Sequence, residues 1–419
     1  MELHSHRGRA LSCAAGLLLR LAFSFLYWVD QPLTHDEREY LALARSIARG
    51  DGFTYPADEP AAGTAQQFGR APGYPLFLAA LGVSRPSDTV PARVKVAQAI
   101  VGTIGIWLVA VIAARAAGPK AGTVAAAIAA VYPPLVFIPA YAFSETLFST
   151  VVLLTAWVLE MAALKGPPYE IAALKGPRHE RTLAAASGAL TAAAILIRPT
   201  MLFFVPLAIV WLLVSRRGTA RVSRTLIFAA ALVICIAPWT IRNARTYGRF
   251  VLVASEGGVT FWTGNHPLAR GEGDLAANPA LKREELAFRR SHSGLTPEQL
   301  EPLYYRDALK WIASAPGSWL KLEVRKLFYT VVPIGPSYQL HSRKYFAASA
   351  VSYVLLLLPA ALGAWRLAQR GRAPVPLWLM AASAILASLV FFPQERFRIP
   401  VIDPALIVSA AAMVKNDDR

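Results

Sequence analysis

Cysteine is nearly absent: Cys13 and Cys235 are the two in 419 residues. Lying far apart, they exclude a disulfide framework and a four-cysteine metal site. Charge is also scarce, at 16% of residues against about 25% in soluble domains, so the chain is not built for a surface solvated all round. Acidic residues are the rarer sign, 26 against 43 basic. In a chain this apolar, such an excess reports orientation in a membrane before it reports nucleic acid, and no nucleic-acid partner is expected.

Hydrophobic residues make up 55% of the chain. They gather in runs of about 17 to 25, the length that crosses about 30 Å of hydrocarbon at about 1.5 Å per residue. The runs lie near 10–29, 94–117, 121–141, 144–164, 182–198, 199–215, 225–241, 346–366, 376–392 and 398–414. They predict an all-α, polytopic membrane protein of about ten transmembrane helices. The first run follows His4, His6, Arg7 and Arg9, as a signal peptide would. No small-x-small cleavage site follows it, and it continues through Leu26, Tyr27 and Trp28, so it reads as a retained helix with an interfacial aromatic edge. Two short runs meet at Arg198-Pro199 with almost no loop.

Placing the amino terminus in the cytoplasm puts Arg7, Arg9, Arg115, Lys120, Arg178, Arg181, Arg216, Arg217, Arg221, Arg224, Arg366, Arg370 and Arg372 on the inner side, where basic loops belong. Two long polar segments then face outward. The chain divides into 1–241, a membrane module with a first outer loop at 30–93, an outer, partly helical segment 242–345, and closing membrane helices 346–419.

Both outer segments carry helix signals. Thr34-His35-Asp36-Glu37 fits a capping box, and Tyr40, Leu43, Ala44 and Ile47 follow at helical spacing until Gly50, an amphipathic helix suited to the membrane surface. Ala71–Val83 is apolar but too short to span, which suits an interfacial or re-entrant segment. Thr296-Pro297-Glu298-Gln299 opens another helix with Leu300, Leu303, Tyr304, Ala308, Trp311 and Ile312 on one face. Glu160–Pro167 recurs as Glu170–Pro177, a local duplication without chemical role.

Ionisable side chains gather at the outer ends of the runs: Asp36, Glu37, Glu145, Arg198, Arg242, Arg245, Glu395, Arg396 and Arg398. Charges at a low-dielectric boundary are costly unless paired or used. A carboxylate can take a proton from a hydroxyl, and guanidinium groups can hold a phosphate as it leaves. Each residue also has a plainer reading. Asp36, Glu37 and Glu145 suit helix first turns, and Arg198, Arg396 and Arg398 could snorkel to headgroups. His35 beside Asp36 could bind a metal, although adjacent residues rarely share one ion. Arg20, midway along the first run, is either snorkelling or paired inside the bundle.

The run Asp36-Glu37-Arg38-Glu39-Tyr40, then Arg70-Ala71-Pro72-Gly73-Tyr74-Pro75-Leu76, resembles the first outer loop of the GT-C superfamily of polyprenyl-phosphate-sugar-dependent glycosyltransferases. It is most similar to bacterial relatives of the protein O-mannosyltransferases and the lipid A aminoarabinose transferases, which are glycosyltransferase family 39-like. Ser144-Glu145-Thr146, Arg198-Pro199-Thr200, Pro238–Asn243, Gly257–Asn265 and Glu395–Pro400 extend the resemblance in the same order. It implies that Asp36 is the catalytic base and that Glu145 assists; Glu37 joins them as a catalytic-site candidate, its capping-box position giving it the supporting role of orienting the helix that presents Asp36. Arg198, Arg242, Arg396 and Arg398, with Arg70 and Tyr74 of the first-loop run, become candidates to bind the donor. The chain departs from the true protein mannosyltransferases in having no room for an inserted globular sensor domain.

The expectation is an inverting glycosyltransferase in a bacterial inner membrane, working on the periplasmic face. It would move a hexosyl or pentosyl group from a polyprenyl-phosphate donor to a glycan, lipid or protein hydroxyl, among membrane lipids and with no cofactor or required metal. A lipid or sugar transporter is the alternative, although charges crowded at one face and the lack of repeated halves suit it less. A non-catalytic assembly subunit is the third class.

Overall fold

The computed structural model describes residues 2–56, 69–163, 177–215, 220–273, 275–332 and 342–414. The duplicated stretch from 164 to 176, and Arg216 and Arg217 of the basic inner run, lie outside them. The described residues contain helices and no β-strand. In order these are α1 (Glu2–Ala22), extended by a π-helical turn at Phe23–Tyr27, α2 (His35–Arg49), α3 (Gly73–Ala80), α4 (Ala92–Ala117), α5 (Pro119–Val131), α6 (Pro133–Phe137), α7 (Glu145–Ala163), α8 (Pro177–Ile197) and α9 (Phe204–Val214). There follow α10 (Ala220–Tyr247), α11 (Gly257–Gly264), α12 (Pro279–Ser291), α13 (Pro297–Ser314), α14 (Pro316–Val331), α15 (Arg343–Gln369), α16 (Val375–Val390), α17 (Glu395–Arg398) and α18 (Ile402–Ala411).

Every apolar run in the sequence is helical here, and the chain is a multi-pass membrane protein. By length and composition, six helices among the described residues can cross a membrane unaided: Ser5–Tyr27, Ala92–Ala117, Glu145–Ala162, His179–Ile197, Arg221–Tyr247 and Arg343–Gln369. One further apolar pair, Pro119–Val131 and Pro133–Ala140, is bent by 64° at its joint, and counts as a seventh if the two halves form one span. Proline explains the break: Pro133 holds Tyr132 in an extended conformation, which a helix cannot continue through. Pro199–Val214, Val375–Val390 and Ile402–Ala411 are shorter apolar helices.

Small residues let the helices approach closely. α5 turns Ala121, Gly122, Ala125, Ala126, Ala129 and Ala130 inward, and a Cβ on Gly122 would come within 2.7 Å of the Ala110 carbonyl oxygen of α4. The α15–α18 contact is tighter, since a Cβ on Gly363 would overlap the Ser409 carbonyl. The main core threads α2 through α5, α7 through α10, α15, α16 and α18.

The first outer loop is helical as its signals require. The Thr34 side chain accepts from Glu37 N, Glu37 reaches back to Thr34 N, and Gly50 at φ 87° ends α2. α2 packs on α3, its Leu41, Ala42, Leu43 and Ala44 covered by protein and its Tyr40 ring edge-on to Tyr74 at 5.0 Å. Helices α11 to α13 have a small core of their own around Trp262, Leu281, Leu300, Tyr304 and Ala308. α13 starts where the Thr296-Pro297 signal puts it, and Thr296 and Gln299 form a capping box there.

The tight α15–α18 contact is testable. Gly363→Val should lower stability by about 1–3 kcal/mol through overpacking. Gly317→Ala, whose Cβ meets nothing within 4 Å, should leave the thermal unfolding midpoint in detergent unchanged.

Candidate active site

Four carboxylates and three guanidiniums meet at one end of the bundle. Asp36, in the first turn of α2, is gripped from both sides. Arg70 Nη2 donates to Oδ1 at 2.8 Å and Arg396 Nη2 donates to Oδ2 at 2.6 Å. Burial alone would raise the pKa of Asp36, but Arg396 and then Arg70 outweigh it and hold the carboxyl well below the usual aspartate range. Side-chain exposures of 21% for Asp36 and 31% for Arg396 leave the pair reachable from outside.

Arg70 is the hub. Besides Asp36 it bonds Glu39, one turn further along α2, and Nη1 donates to Glu256 Oε2 at 2.9 Å. Burial raises the pKa of Glu256 and Arg70 offsets only part of that, so Glu256 and Asp36 are driven in opposite directions. Acidification therefore frees Arg70 of Glu256 before it frees it of Asp36.

Beside this hub, Glu145 starts α7 with its side chain 2% exposed, 2.7 Å from Arg198 Nη1 and 3.9 Å from Arg396 Nε. Arg198 points here because Pro199 forces the residue before it out of helical geometry: α8 ends at Ile197, and Arg198 is extended at φ −142° and ψ 114°. Aromatic faces carry the guanidiniums, Phe397 lying under Arg198 at 4.8 Å and Phe143 under Arg396 at 5.0 Å. Arg396 itself rides on α17, a single turn between α16 and α18.

The remaining candidates stand elsewhere. Glu37 does not face the cluster. Its Oε2 accepts from Thr34 N and Thr34 Oγ1, each at 2.8 Å, and its Oε1 accepts from Ala142 N at 2.8 Å. It thereby seats α2 against the loop before α7. Tyr74 is fully buried and donates to Gln98 Oε1 at 3.0 Å, fixing α3 to α4. Arg242 lies among Phe53, Trp239 and Tyr247 and donates to the Phe53 carbonyl at 3.2 Å, which ties the first outer loop to α10. Arg398 turns into the bundle, its Nε donating to Asp403 at 2.8 Å over the Tyr353 ring. Among the described residues no three His, Cys, Asp or Glu side chains are arranged to hold a metal ion; His35 lies 3.7 Å from Glu39 alone.

Glu39 and Glu256 were not singled out by the sequence. Glu39 had a usable signal, standing three residues after Asp36 and hence on the same helix face. Glu256, 186 residues from Arg70, had none.

Residues 77–241 match the family model of dolichyl-phosphate-mannose-protein mannosyltransferases. Among solved structures, AglB, the oligosaccharyltransferase of Archaeoglobus fulgidus in complex with an inhibitory peptide and a dolichol-phosphate, aligns with a TM-score of 0.54 at 12% identity, over 97% of this chain and 50% of that one. The A. fulgidus oligosaccharyltransferase tethered with an acceptor peptide gives 0.55 at 12% identity, over 97% and 49%. ArnT from Cupriavidus metallidurans, bound to undecaprenyl phosphate, gives 0.45 at 16% identity, over 96% and 77%. No curated protein matches significantly. The chain spans about half the length of the archaeal structures it matches, and its fold is that of the GT-C membrane proteins.

Glu37→Ala should cost about 1–3 kcal/mol, since it strands the buried Ala142 N–H and opens the α2 cap. Chemical denaturation of purified protein would measure this, and an unchanged midpoint would contradict the positioning role.

Proposed function

From a chain with the GT-C membrane fold that matches the mannosyltransferase family over residues 77–241, we propose an inverting membrane glycosyltransferase. It moves a hexosyl or pentosyl group from a polyprenyl-phosphate donor to a hydroxyl of an envelope glycan, lipid or protein. The site opens on the periplasmic face of a bacterial inner membrane, with the amino terminus in the cytoplasm. The observation that carries this reading is Asp36 held between Arg70 and Arg396 beside the Glu145–Arg198 pair.

The acceptor oxygen attacks the anomeric carbon from the side opposite the phosphate. The new C–O bond forms as the bond to the phosphate oxygen breaks, and the acceptor proton passes to Asp36. The leaving phosphate keeps the bonding electrons and is stabilised by Arg396 and Arg198, whose donors suit phosphate oxygens. A carboxylate pinned by two arginines is a weak base. Donor binding removes that obstacle: a phosphate that draws Arg396 away leaves Asp36 with Arg70 alone and more basic. The base is thereby switched on by the substrate it serves. Arginines take the charge that a metal would otherwise take, so the step needs no cofactor.

Reconstituted protein supplied with labelled polyprenyl-phosphate sugar should transfer label to an acceptor and continue to do so in EDTA. Asp36→Asn should slow transfer by about 10²–10⁴, the usual worth of a general base. Arg396→Lys should remain impaired, because an ammonium lacks the planar fork. Full activity in Asp36→Asn removes Asp36 from the chemistry. Donor lipid crossing acceptor-free vesicles without any transfer would favour a transporter instead.

A further inference from the structure

Two buried side chains outside the charged cluster hold the chain just ahead of Arg396. α16 ends at Val390, and the last carbonyls of a helix have no partner within it. Side chains from the α11–α14 segment supply the partners. Lys326 Nζ of α14 donates to the Leu389 carbonyl at 2.8 Å, and Asn265 Nδ2, just after α11, donates to the Val390 carbonyl at 2.8 Å. The two side chains are themselves joined, since Lys326 Nζ also donates to Asn265 Oδ1 at 3.0 Å. Glu323 Oε1 accepts the remaining Lys326 N–H at 2.7 Å, and Trp319 Nε1 donates to Asn265 Oδ1 at 3.0 Å. Lys326 is wholly buried and Asn265 is 2% exposed. An ammonium is costly to bury unless its donors are satisfied, and here each of the three has a fixed acceptor.

The backbone is held as closely as the carbonyls. A Cβ on Gly264 would overlap the Phe391 carbonyl, and one on Gly273 would overlap the Phe392 ring. Phe391 meets the rings of Phe261 and Phe203 edge-on at 6.4 and 6.0 Å. Pro393 follows, its φ fixed by its own ring, and then the four residues of α17 with Arg396 among them. One helical turn cannot hold itself in place, and Gln394 gives α17 no side-chain cap. Its far side is tied by Arg398, which donates to Asp403 at 2.8 Å. Its near side is tied through residues 389–392.

We propose that Lys326 and Asn265 are positioning residues for Arg396. By pinning the end of α16 they set where α17 presents the guanidinium to Asp36 and to a donor phosphate. α11 carries the link across the site: Glu256, ahead of its first turn, accepts from Arg70, and Asn265, after its last, bonds the end of α16. A helix of eight residues, about 12 Å long, thereby fixes the supports of the two arginines that grip Asp36 relative to each other. The inference rests on the glycosyltransferase reading for its phosphate, but the hold of Lys326 and Asn265 on α17 does not.

The test titrates undecaprenyl phosphate into the full chain in lipid nanodiscs. Lys326→Met should weaken binding about tenfold, the worth of about one hydrogen bond to a charged group lost from Arg396. In an Arg396→Ala background the same substitution should change binding by less than about twofold, because it acts through Arg396. A role confined to stability would not show that dependence. Tyr304→Phe, which loosens the same segment by removing a bond to Glu285, should bind as wild type does. A well-folded Lys326→Met with wild-type affinity overturns the proposal, and so do losses that multiply in the double variant. If Lys326→Met does not fold, Asn265→Asp takes its place in the same cycle, with the same expectations and the same overturning results. It keeps the size of the side chain and the bond to Lys326 and removes the donor to Val390.

A donor-free arm reads the hold itself. Backbone hydrogen exchange over residues 391–398 should speed up about tenfold in Lys326→Met while α18 keeps its wild-type rate. Unchanged exchange at 391–398 overturns the proposal. Should wild type bind no undecaprenyl phosphate, the glycosyltransferase reading fails while the exchange arm still decides whether Lys326 and Asn265 hold α17.

Discussion

The site depends on a carboxylate, Asp36, held at both oxygens by arginines from distant parts of the chain. Water screens such pairs and makes them cheap to part; at the rim of an apolar bundle they are neither well screened nor easily broken. The cluster is short of positive charge, Asp36, Glu39, Glu145 and Glu256 sharing Arg70, Arg198 and Arg396. Under the proposed function, a donor phosphate would compete with the carboxylates for the same donors, and its binding would be coupled to the basicity of Asp36 without any moving domain.

The scaffold around the cluster is a set of devices that stop helices where a charge must be shown. Pro199 ends α8 and turns Arg198 outward. α17 is one turn long and carries Arg396 between two apolar helices. Glu37 caps α2 and bonds the loop before α7, so Asp36 and Glu145 are placed against each other by backbone contacts rather than by their own charges. Rigid supports of this kind fix a site more firmly than flexible side chains can.

Local signals were legible in the sequence. The capping box at Thr34, the helix start at Thr296-Pro297 and the break at Arg198-Pro199 all appear where the residues put them, because each depends on neighbours within one helical turn. Partnerships across the fold were not legible. Nothing near Glu256 tells that it meets Arg70. Even the local pair is hidden: Asp403 stands five residues after Arg398, but the string does not tell that Arg398 turns inward to it instead of joining Arg396. A helical step of two residues reverses the direction a side chain faces, which a motif read as a string does not convey. Helix length was similarly hidden: proline breaks the run that holds Pro119–Val131 and Pro133–Ala140, and the helices Pro199–Val214, Val375–Val390 and Ile402–Ala411 are shorter than the sequence runs suggest.

The bond between Asp36 and Arg396 joins residues 360 apart in the chain. During synthesis α2 emerges early, with Arg70 soon after, while Arg396 arrives only with the closing helices. Until then Asp36 has only Arg70 to hold it, and the two-sided grip on its carboxylate does not exist. A truncation before α17 should therefore leave Asp36 with Arg70 alone, however well the earlier helices have assembled.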